Sequence, residues 1–309
     1  MTDRIDRHTR GVFIIAATPF TDDGALDLES ADRMVDFYKT TGVNGMTILG
    51  VMGEAPKLSA DESLTIAKRM IARAGMPVIV GVSGGGLDPM RRLAHEAMAT
   101  GAAGVMVAPP AGTGPEDRVR GYYAAVCNAL GPDVPVCLQD YPQLTGVKIS
   151  ADSVLRITTD HPQVVMLKHE DWPGLNKLDA IRARSGEGKE APRLSILCGN
   201  SALFLAEEMA RGADGAMTGY CYPEMLVQVV EGWAENPDRA QDIFDAHLPM
   251  VRYEQQPGLG LAVRKEVLRR RGAIASAALR APGPKLSARD HDEITRLMAR
   301  LEKRLKEIG

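Results

Sequence analysis

The chain has 309 residues, a length that fits one α/β barrel of about 250 residues with extensions. Hydrophobic residues make up 45% and charged residues 25% of the chain, which is ordinary for a globular protein. The formal net charge of −3 gives no long-range attraction to nucleic acid or anionic membranes, so a polyanionic partner is disfavoured.

Membrane and secretory segments are not expected from this sequence. No run approaches the roughly 20 apolar residues that a membrane span requires. Segment 1–10 is polar with charges of both signs, unlike a secretory signal. The cysteines are widely spaced without a C-x-x-C pair, as is typical of reduced thiols; they are Cys127, Cys137, Cys198 and Cys221. We therefore expect a cytoplasmic location.

Eight short apolar runs alternate along the chain with longer amphipathic segments. Most of the runs are continuously apolar, as expected of parallel strands covered on both faces. The intervening segment 27–41, for example, has the apolar spacing of a helix. The runs span residues 12–17, 45–49, 77–82, 104–107, 134–139, 164–168, 194–198 and 215–218.

A Gly-x-x-Gly element recurs between helical segments and apolar runs, at 42–45, 101–104 and 212–215. Its first glycine suits a left-handed helix C-cap, and its second lets the chain enter the next strand tightly. Eight strands with intervening helices predict an α/β fold, a closed (β/α)8 TIM barrel over residues 1–235. An open doubly wound sheet is the alternative.

Residues 236–309 form the second predicted unit, an appended bundle of helices packed on the barrel. Three helical patterns cover 238–255, 260–272 and 287–308. The last pattern opens with Ser287 and Asp290, which resemble a capping box.

Functional residues of such a barrel lie at the C-terminal ends of the strands and in the loops that follow. The sixth run ends at Lys168, and lysine is rarely buried without a reason. Burial disfavours the ammonium and favours the neutral amine, which is the nucleophile in Schiff-base catalysis. A lysine that merely reaches solvent from the strand end is the structural alternative.

The second run is followed by Gly50-Val51-Met52-Gly53-Glu54. Two glycines in a tight turn can present backbone N–H groups to a carboxylate. This turn and Lys168 together resemble the dihydrodipicolinate synthase and N-acetylneuraminate lyase family of class I aldolases. In that family the turn reads Gly-Thr/Ser-Thr-Gly-Glu, and the Schiff-base lysine ends the sixth strand.

The resemblance covers nearly the whole chain, from 11–20 to the C-terminal helices. It implies a small-molecule 2-oxo acid substrate held covalently on Lys168, with no separate cofactor. It also implies a homotetramer or homodimer. However, the segment 109–111 lacks the tyrosine that family tetramers use across an interface, which leaves the assembly open.

Other departures from the family concern substrate binding and proton transfer. The two hydroxyl residues of the turn are replaced by Val51 and Met52, which leaves Gly53 and neighbouring amides to hold the substrate carboxylate. The family's proton-shuttling tyrosine falls on Gln139. The arginine that the synthases use for a second carboxylate falls near Leu144. Synthesis of the lysine precursor is therefore not expected.

A closer resemblance is to the 2-keto-3-deoxy sugar acid dehydratases of the same family, particularly those acting on 2-keto-3-deoxyarabonate. The shared elements are Gln139-Asp140-Tyr141-Pro142 and Lys168-His169-Glu170, followed by Pro173-Gly174 and Asn176-Lys177-Leu178. One residue is inserted before Pro173, so the resemblance does not fix the substrate.

Several further residues are candidates for proton transfer. Gln139 and Tyr141 lie two residues apart and therefore on one face of a strand, so Tyr141 is a candidate general acid/base. Glu170 is predicted at the barrel mouth, although acidic residues also favour helix N-termini. His169 is expected to point away from Lys168 and to be structural.

The remaining substrate-binding candidates are Gly50, Glu54, Asp140, Gly199, Asn200 and Thr218. A structural role in orienting the glycine turn is the alternative for Glu54. Ser201 suits the N-cap of the following helix.

These residues predict a lyase that forms a Schiff base with a 2-oxo acid, either a 2-keto-3-deoxy sugar acid dehydratase or a pyruvate-dependent aldolase. One alternative is a dihydrodipicolinate synthase that condenses pyruvate with aspartate semialdehyde. Another is a non-catalytic barrel that binds a 2-oxo acid. No His, Asp or Glu cluster has metal-ligand spacing, so no metal is expected.

Overall fold

The computed structural model describes residues 3–84, 86–172 and 174–309. Pro173, part of the dehydratase-like motif, lies outside the described residues. Eight parallel strands close into one barrel in the order β1 to β8, which confirms the predicted TIM barrel and excludes the open sheet. The strands are β1 Gly11–Ile15, β2 Gly45–Ile48, β3 Val78–Gly81, β4 Gly104–Val107, β5 Val136–Asp140, β6 Val164–His169, β7 Ser195–Cys198 and β8 Gly215–Ala216.

Helices surround the barrel and follow the strands. The helices are α1 Leu28–Thr40, α2 Ala60–Ala74, α3 Leu87–Thr100, α4 Glu116–Leu130, α5 Pro142–Thr145, α6 Ala151–Asp160, α7 Leu175–Arg184, α8 Leu205–Ala210, α9 Pro223–Gly232, α10 Pro237–Glu254, α11 Gly260–Arg270 and α12 Ala288–Ile308. Two short 3₁₀ turns cover Ala55–Lys57 and Asn200–Ala202. In the described part of the chain, no helix is both long and apolar enough to cross a membrane.

Register and alternation decide which side chains enter the barrel. Gln139 of β5 pairs with Lys168 of β6, and Lys168 pairs with Leu197 of β7. Because strand side chains alternate between faces, these three residues share the inner face. Asp140 and His169, which also pair with each other, therefore face the surrounding helices.

The C-terminal helices α10 to α12 follow the barrel, as the sequence patterns predict. Ser287 accepts a hydrogen bond from the Asp290 N–H, and the Asp290 side chain bonds back to the Ser287 N–H. The predicted capping box is thus confirmed. The division into 1–235 and 236–309 remains a prediction.

Candidate active site

Lys168 and Glu170 form a buried ion pair at the C-terminal end of β6. Lys168 is 5% exposed and Glu170 is 6% exposed, so Lys168 does not reach out to solvent. Lys168 Nζ lies 3.0 Å from Glu170 Oε2. Gln139 Nε2 donates a hydrogen bond of 2.7 Å to the same oxygen. An amine, a carboxylate and an amide thus meet where the barrel opens.

Tyr141 lies next to this group but beyond the end of β5, where it precedes α5. Burial raises the pKa of its phenol, the nearby Glu170 carboxylate raises it further, and Arg264 opposes both effects. The phenol therefore remains protonated at neutral pH, which suits a general acid.

Asp140 lies in a different environment from Lys168, and its role as a substrate contact stays a prediction that its position does not support. The carboxylate is fully buried on the helix side of β5, where it forms an ion pair with Lys177. His169 lies beside it, with Nδ1 at 4.0 Å from Asp140 Oδ2 and Nε2 at 3.1 Å from the Gly174 carbonyl oxygen. Burial raises the pKa of Asp140 to about 6 and lowers that of His169 to about 4. The structural role expected for His169 agrees with these contacts.

The turn after β2 offers two backbone donors, at Val51 and Met52, but not at Gly53. The Gly53 N–H donates to the Gly50 carbonyl oxygen at 3.0 Å, and the Glu54 N–H donates to Val51 at 3.0 Å. Gly53 therefore has no amide hydrogen to give a substrate. The Val51 and Met52 N–H groups have no partner among the described residues. The Met52 side chain is buried and packs over Gly219, where a Cβ would overlap its sulfur.

Glu54 is held by contacts with α11 and the segment after it, and its role as a substrate contact stays a prediction. Its buried carboxylate binds Lys265 at 2.6 Å and Lys57 at 2.8 Å, and accepts a 3.1 Å hydrogen bond from the Arg280 N–H. With both carboxylate oxygens occupied, these contacts favour the structural role for Glu54.

The loop after β7 lies directly against Glu170. A side chain on Gly199 would overlap Cγ of Glu170, so the close approach requires glycine here. Asn200 Nδ2 donates to the Glu170 carbonyl oxygen at 2.8 Å. The N-cap expected at Ser201 is wrong, because residues 200–202 turn left-handed, with φ of 49°, 56° and 65°, and α8 begins only after Phe204.

Thr218 follows β8 with its side chain buried, and its carbonyl oxygen accepts a 2.8 Å hydrogen bond from the Ile15 N–H. This bond continues the barrel ladder beyond Ala216. Gly50 precedes the β2 turn and packs against Met106 and Ile15. The substrate-binding roles predicted for Thr218 and Gly50 therefore stay predictions.

Two cations near the site were missed by the sequence reasoning. Arg264 and Lys265 of α11 reach the β7 and β2 loops from the C-terminal unit. The sequence pattern around Lys265 could have revealed this contact, because the lysine lies between Val263 and Val267 in a helix with closely spaced apolar residues. Lysine in such surroundings normally has a buried partner.

The described residues contain no group of three or more His, Cys, Asp or Glu side chains placed to hold a metal ion. The barrel mouth offers a buried lysine beside a carboxylate, and the β2 turn offers backbone amides without a partner among the described residues. Such a site suits the chemistry of a Schiff-base lyase of the (β/α)8-barrel class.

Comparison with known proteins gives the same class. The model of the Dihydrodipicolinate synthetase family matches residues 8–301, and the chain belongs to this family. It is accordingly a class I lyase, a group that includes dehydratases and aldolases.

Two curated relatives cover almost the whole chain. An L-2-keto-3-deoxyarabonate dehydratase of Azospirillum brasilense is 31% identical, over 98% of this chain and 97% of its own length. A 4-hydroxy-tetrahydrodipicolinate synthase of Sorangium cellulosum is 32% identical, over 95% and 96%.

Among solved structures, a dihydrodipicolinate synthase from Rhodopseudomonas palustris superposes with a TM-score of 0.95. It is 48% identical and covers 97% of this chain and 100% of its own.

Proposed function

We propose that Lys168 attacks the carbonyl carbon of a 2-oxo acid and holds it as a Schiff base for lyase chemistry at C3. The observation that carries this proposal is the Lys168–Glu170 pair, with 3.0 Å between Nζ and Oε2, buried at the barrel mouth. The carboxylate can take the proton that the ammonium must lose before the amine attacks. It returns this proton to the carbinolamine hydroxyl, which leaves as water when the imine forms, so Glu170 is again ionised for the next step. The Val51 and Met52 amides are the donors we assign to the substrate carboxylate.

The protonated imine then acts as an electron sink. Glu170 removes a proton from C3, and the resulting enamine expels the hydroxyl group at C4. Tyr141 is the acid that we assign to this leaving group, since burial keeps its phenol protonated. The C4 hydroxyl and one proton leave as water, and hydrolysis of the imine returns free Lys168.

The substrate class that we favour is a 2-keto-3-deoxy sugar acid, with dehydration as the reaction. Two features support it: a glutamine, Gln139, stands where the family has its proton-shuttling tyrosine, and the Azospirillum brasilense dehydratase aligns over nearly the whole chain. Pyruvate-dependent aldol cleavage is the related reaction at the same imine.

The test is borohydride reduction in the presence of pyruvate, followed by peptide mass spectrometry. We expect a reduced adduct on Lys168 and none in a Lys168→Ala variant. A panel of keto-deoxy sugar acids then identifies the substrate by release of water or an aldehyde. Full activity in Lys168→Ala would refute the mechanism, and adduct formation without turnover on any member of the panel would favour a non-catalytic binding role.

A second candidate is 4-hydroxy-tetrahydrodipicolinate synthesis from pyruvate and aspartate semialdehyde. It is favoured by the 48% identity to the Rhodopseudomonas palustris protein. Against it, Leu144 is 53% exposed where those synthases have a carboxylate-binding arginine. Consumption of both substrates in a coupled assay would establish this candidate, and its absence would remove it.

A homotetramer or homodimer, a cytoplasmic location and independence from metal ions complete the proposal. Light scattering on the purified protein measures the assembly. Activity that persists after dialysis against a chelator would support catalysis without a metal ion, and loss of activity that added metal restores would contradict it.

A further inference from the structure

Helix α11 carries two consecutive cations that reach different loops of the active site. Lys265 is completely buried, and its Nζ donates to Glu54 Oε1 at 2.6 Å and to the Ala278 carbonyl oxygen at 2.8 Å. It also lies 4.5 Å from the centre of the Phe20 ring. Successive helical residues project about 100° apart, so Arg264 points to a different neighbour.

The loop that Lys265 holds is the β2 turn. Two residues other than glycine, Leu49 with φ of 54° and Glu54 with φ of 50°, bracket this turn in the left-handed region. Such conformations persist only where surrounding contacts enforce them. At one end the Thr18 hydroxyl donates to the Gly53 carbonyl oxygen at 2.6 Å, and the Glu54–Lys265 pair fixes the next residue. The free Val51 and Met52 amides lie between the bracketing residues.

Arg264 holds the β7 loop in a comparable way. Its guanidinium binds Glu254 Oε1 at 3.0 Å, Gln255 Oε1 at 2.9 Å and the Ser201 hydroxyl. Ser201 is the middle residue of the left-handed turn 200–202. The residue before it, Asn200, donates a hydrogen bond to the backbone carbonyl oxygen of Glu170. A shift of this turn would therefore move Glu170, whose carboxylate lies beside Lys168.

We propose that α11 is a two-point clamp, in which Lys265 positions the loop that binds the substrate carboxylate and Arg264 positions the loop that supports Glu170. Both are positioning residues, since neither touches Lys168. The proposal rests on the function assigned above and adds to it: substrate capture and proton transfer depend on separate contacts of one helix. The two steps are therefore separable by mutation.

The experiment measures three quantities for K265M and R264M in the full-length enzyme. These are the pyruvate concentration that half-saturates borohydride trapping, the rate of trapping with hydroxyacetone, which lacks a carboxylate, and kcat on the keto-deoxy acid that the enzyme turns over. R269Q is the matched control, since Arg269 is a surface cation of the same helix whose side chain pairs, within the described part of the chain, with Glu266 alone.

K265M is expected to raise the half-saturating pyruvate concentration by about tenfold or more, as small misplacements of binding groups do, while hydroxyacetone trapping stays near the wild-type rate. R264M is expected to lower kcat by about tenfold or more with pyruvate half-saturation unchanged. R264K should recover part of the loss, and R269Q should match wild type.

Equal loss of pyruvate and hydroxyacetone trapping in K265M would reduce its role to general stability and overturn the clamp. Wild-type pyruvate half-saturation in K265M, or a wild-type kcat in R264M, would also overturn the clamp. Because loss of one partner of a buried pair destabilises a fold, E54Q/K265M, which removes both charges, is measured as well. If that folded variant binds pyruvate like wild type, the Lys265 contact has no positioning role. Absence of any wild-type adduct would instead refute the proposed function itself.

Discussion

The carboxylate of Glu170 lies 3.0 Å from Nζ of Lys168, although one residue separates them in the chain. Lys168 lies in β6 and Glu170 is the first residue after it, so the spacing of two turns both side chains inward while the intervening His169 faces the helices. The end of one strand and the residue after it therefore supply a nucleophile and a proton acceptor. Their relative position depends on local backbone geometry and on Gln139, which donates to Glu170 from β5.

Replacement of Glu170 by glutamine should separate Schiff-base formation from turnover. The amide keeps the size of the side chain but cannot accept the C3 proton, so kcat should fall by about 10²-fold or more. Pyruvate should still be trapped on Lys168 by borohydride, at a lower rate. Intact-mass spectrometry and steady-state kinetics measure the two effects, and a kcat near that of wild type would show that another group is the base.

A methyl group at Gly199 should displace Glu170, because the added Cβ would overlap Cγ of that side chain. We expect Gly199→Ala to lower kcat by about tenfold or more, with a smaller effect on pyruvate trapping. Gly121→Ala is the matched control, since open space surrounds Gly121 within α4. There alanine should stabilise the helix by up to about 1 kcal/mol. Equal kcat in both variants would contradict the close packing inferred at Gly199.

Removal of the Asp140 charge should affect stability more than substrate binding. Asp140→Asn leaves Lys177 with a weaker partner in a buried position, and we expect a loss of about 3 kcal/mol in unfolding free energy. The pyruvate concentration that half-saturates trapping should be nearly unchanged, because this side chain faces away from Lys168. Denaturant unfolding and the trapping assay measure the two quantities. Weaker pyruvate binding at unchanged stability would restore Asp140 to the substrate site.

Glu208 gives the fold a pH dependence that a neutral variant should remove. Burial raises the pKa of its carboxyl to about 8, above the usual value of 4.5. Because the native pKa exceeds the unfolded one, ionisation destabilises the native state progressively from about pH 4.5 to pH 8. Glu208→Gln should therefore gain stability over wild type as pH rises, on the order of 4 kcal/mol by pH 8.

Thermal unfolding of Glu208→Gln at several pH values between 5 and 8 measures this gain. Glu207→Gln is the control, because Glu207 is the exposed neighbour on α8. A pH-independent difference between Glu208→Gln and wild type would show that the carboxyl does not titrate as inferred.

The barrel itself could be predicted from the sequence, because each apolar strand and each amphipathic helix is recognisable from its own short segment, and the two kinds of segment alternate along the chain. Lys168 and Glu170 were selected by the rule that barrel chemistry lies at the strand ends, and Gln139 and Asp140 by the family resemblance. The sequence reasoning did not foresee that strand alternation turns Asp140 outward, away from Lys168. It failed at Ser201, since a left-handed turn in three non-glycine residues has no local signature.

The contacts of α11 could not be predicted, because they join residues that are far apart in sequence. Lys265 binds a carboxylate 211 residues away, and no periodicity within either segment encodes that pairing. That the Gly53 amide is already hydrogen-bonded within the β2 turn could not be predicted for a related reason. Which N–H groups of a turn are free depends on its internal hydrogen bonds, and these follow from the φ values of Leu49 and Glu54 rather than from the glycines.

Barrel enzymes are often viewed as modular, with each loop free to change length and sequence on a fixed scaffold. The shared attachment of two loops to α11 restricts that freedom here. An insertion in one loop that shifts the helix would also disturb the other, so inherited or engineered changes in the two loops should occur together. Exchange of the C-terminal helices between relatives would accordingly require both loops to be transferred as one unit.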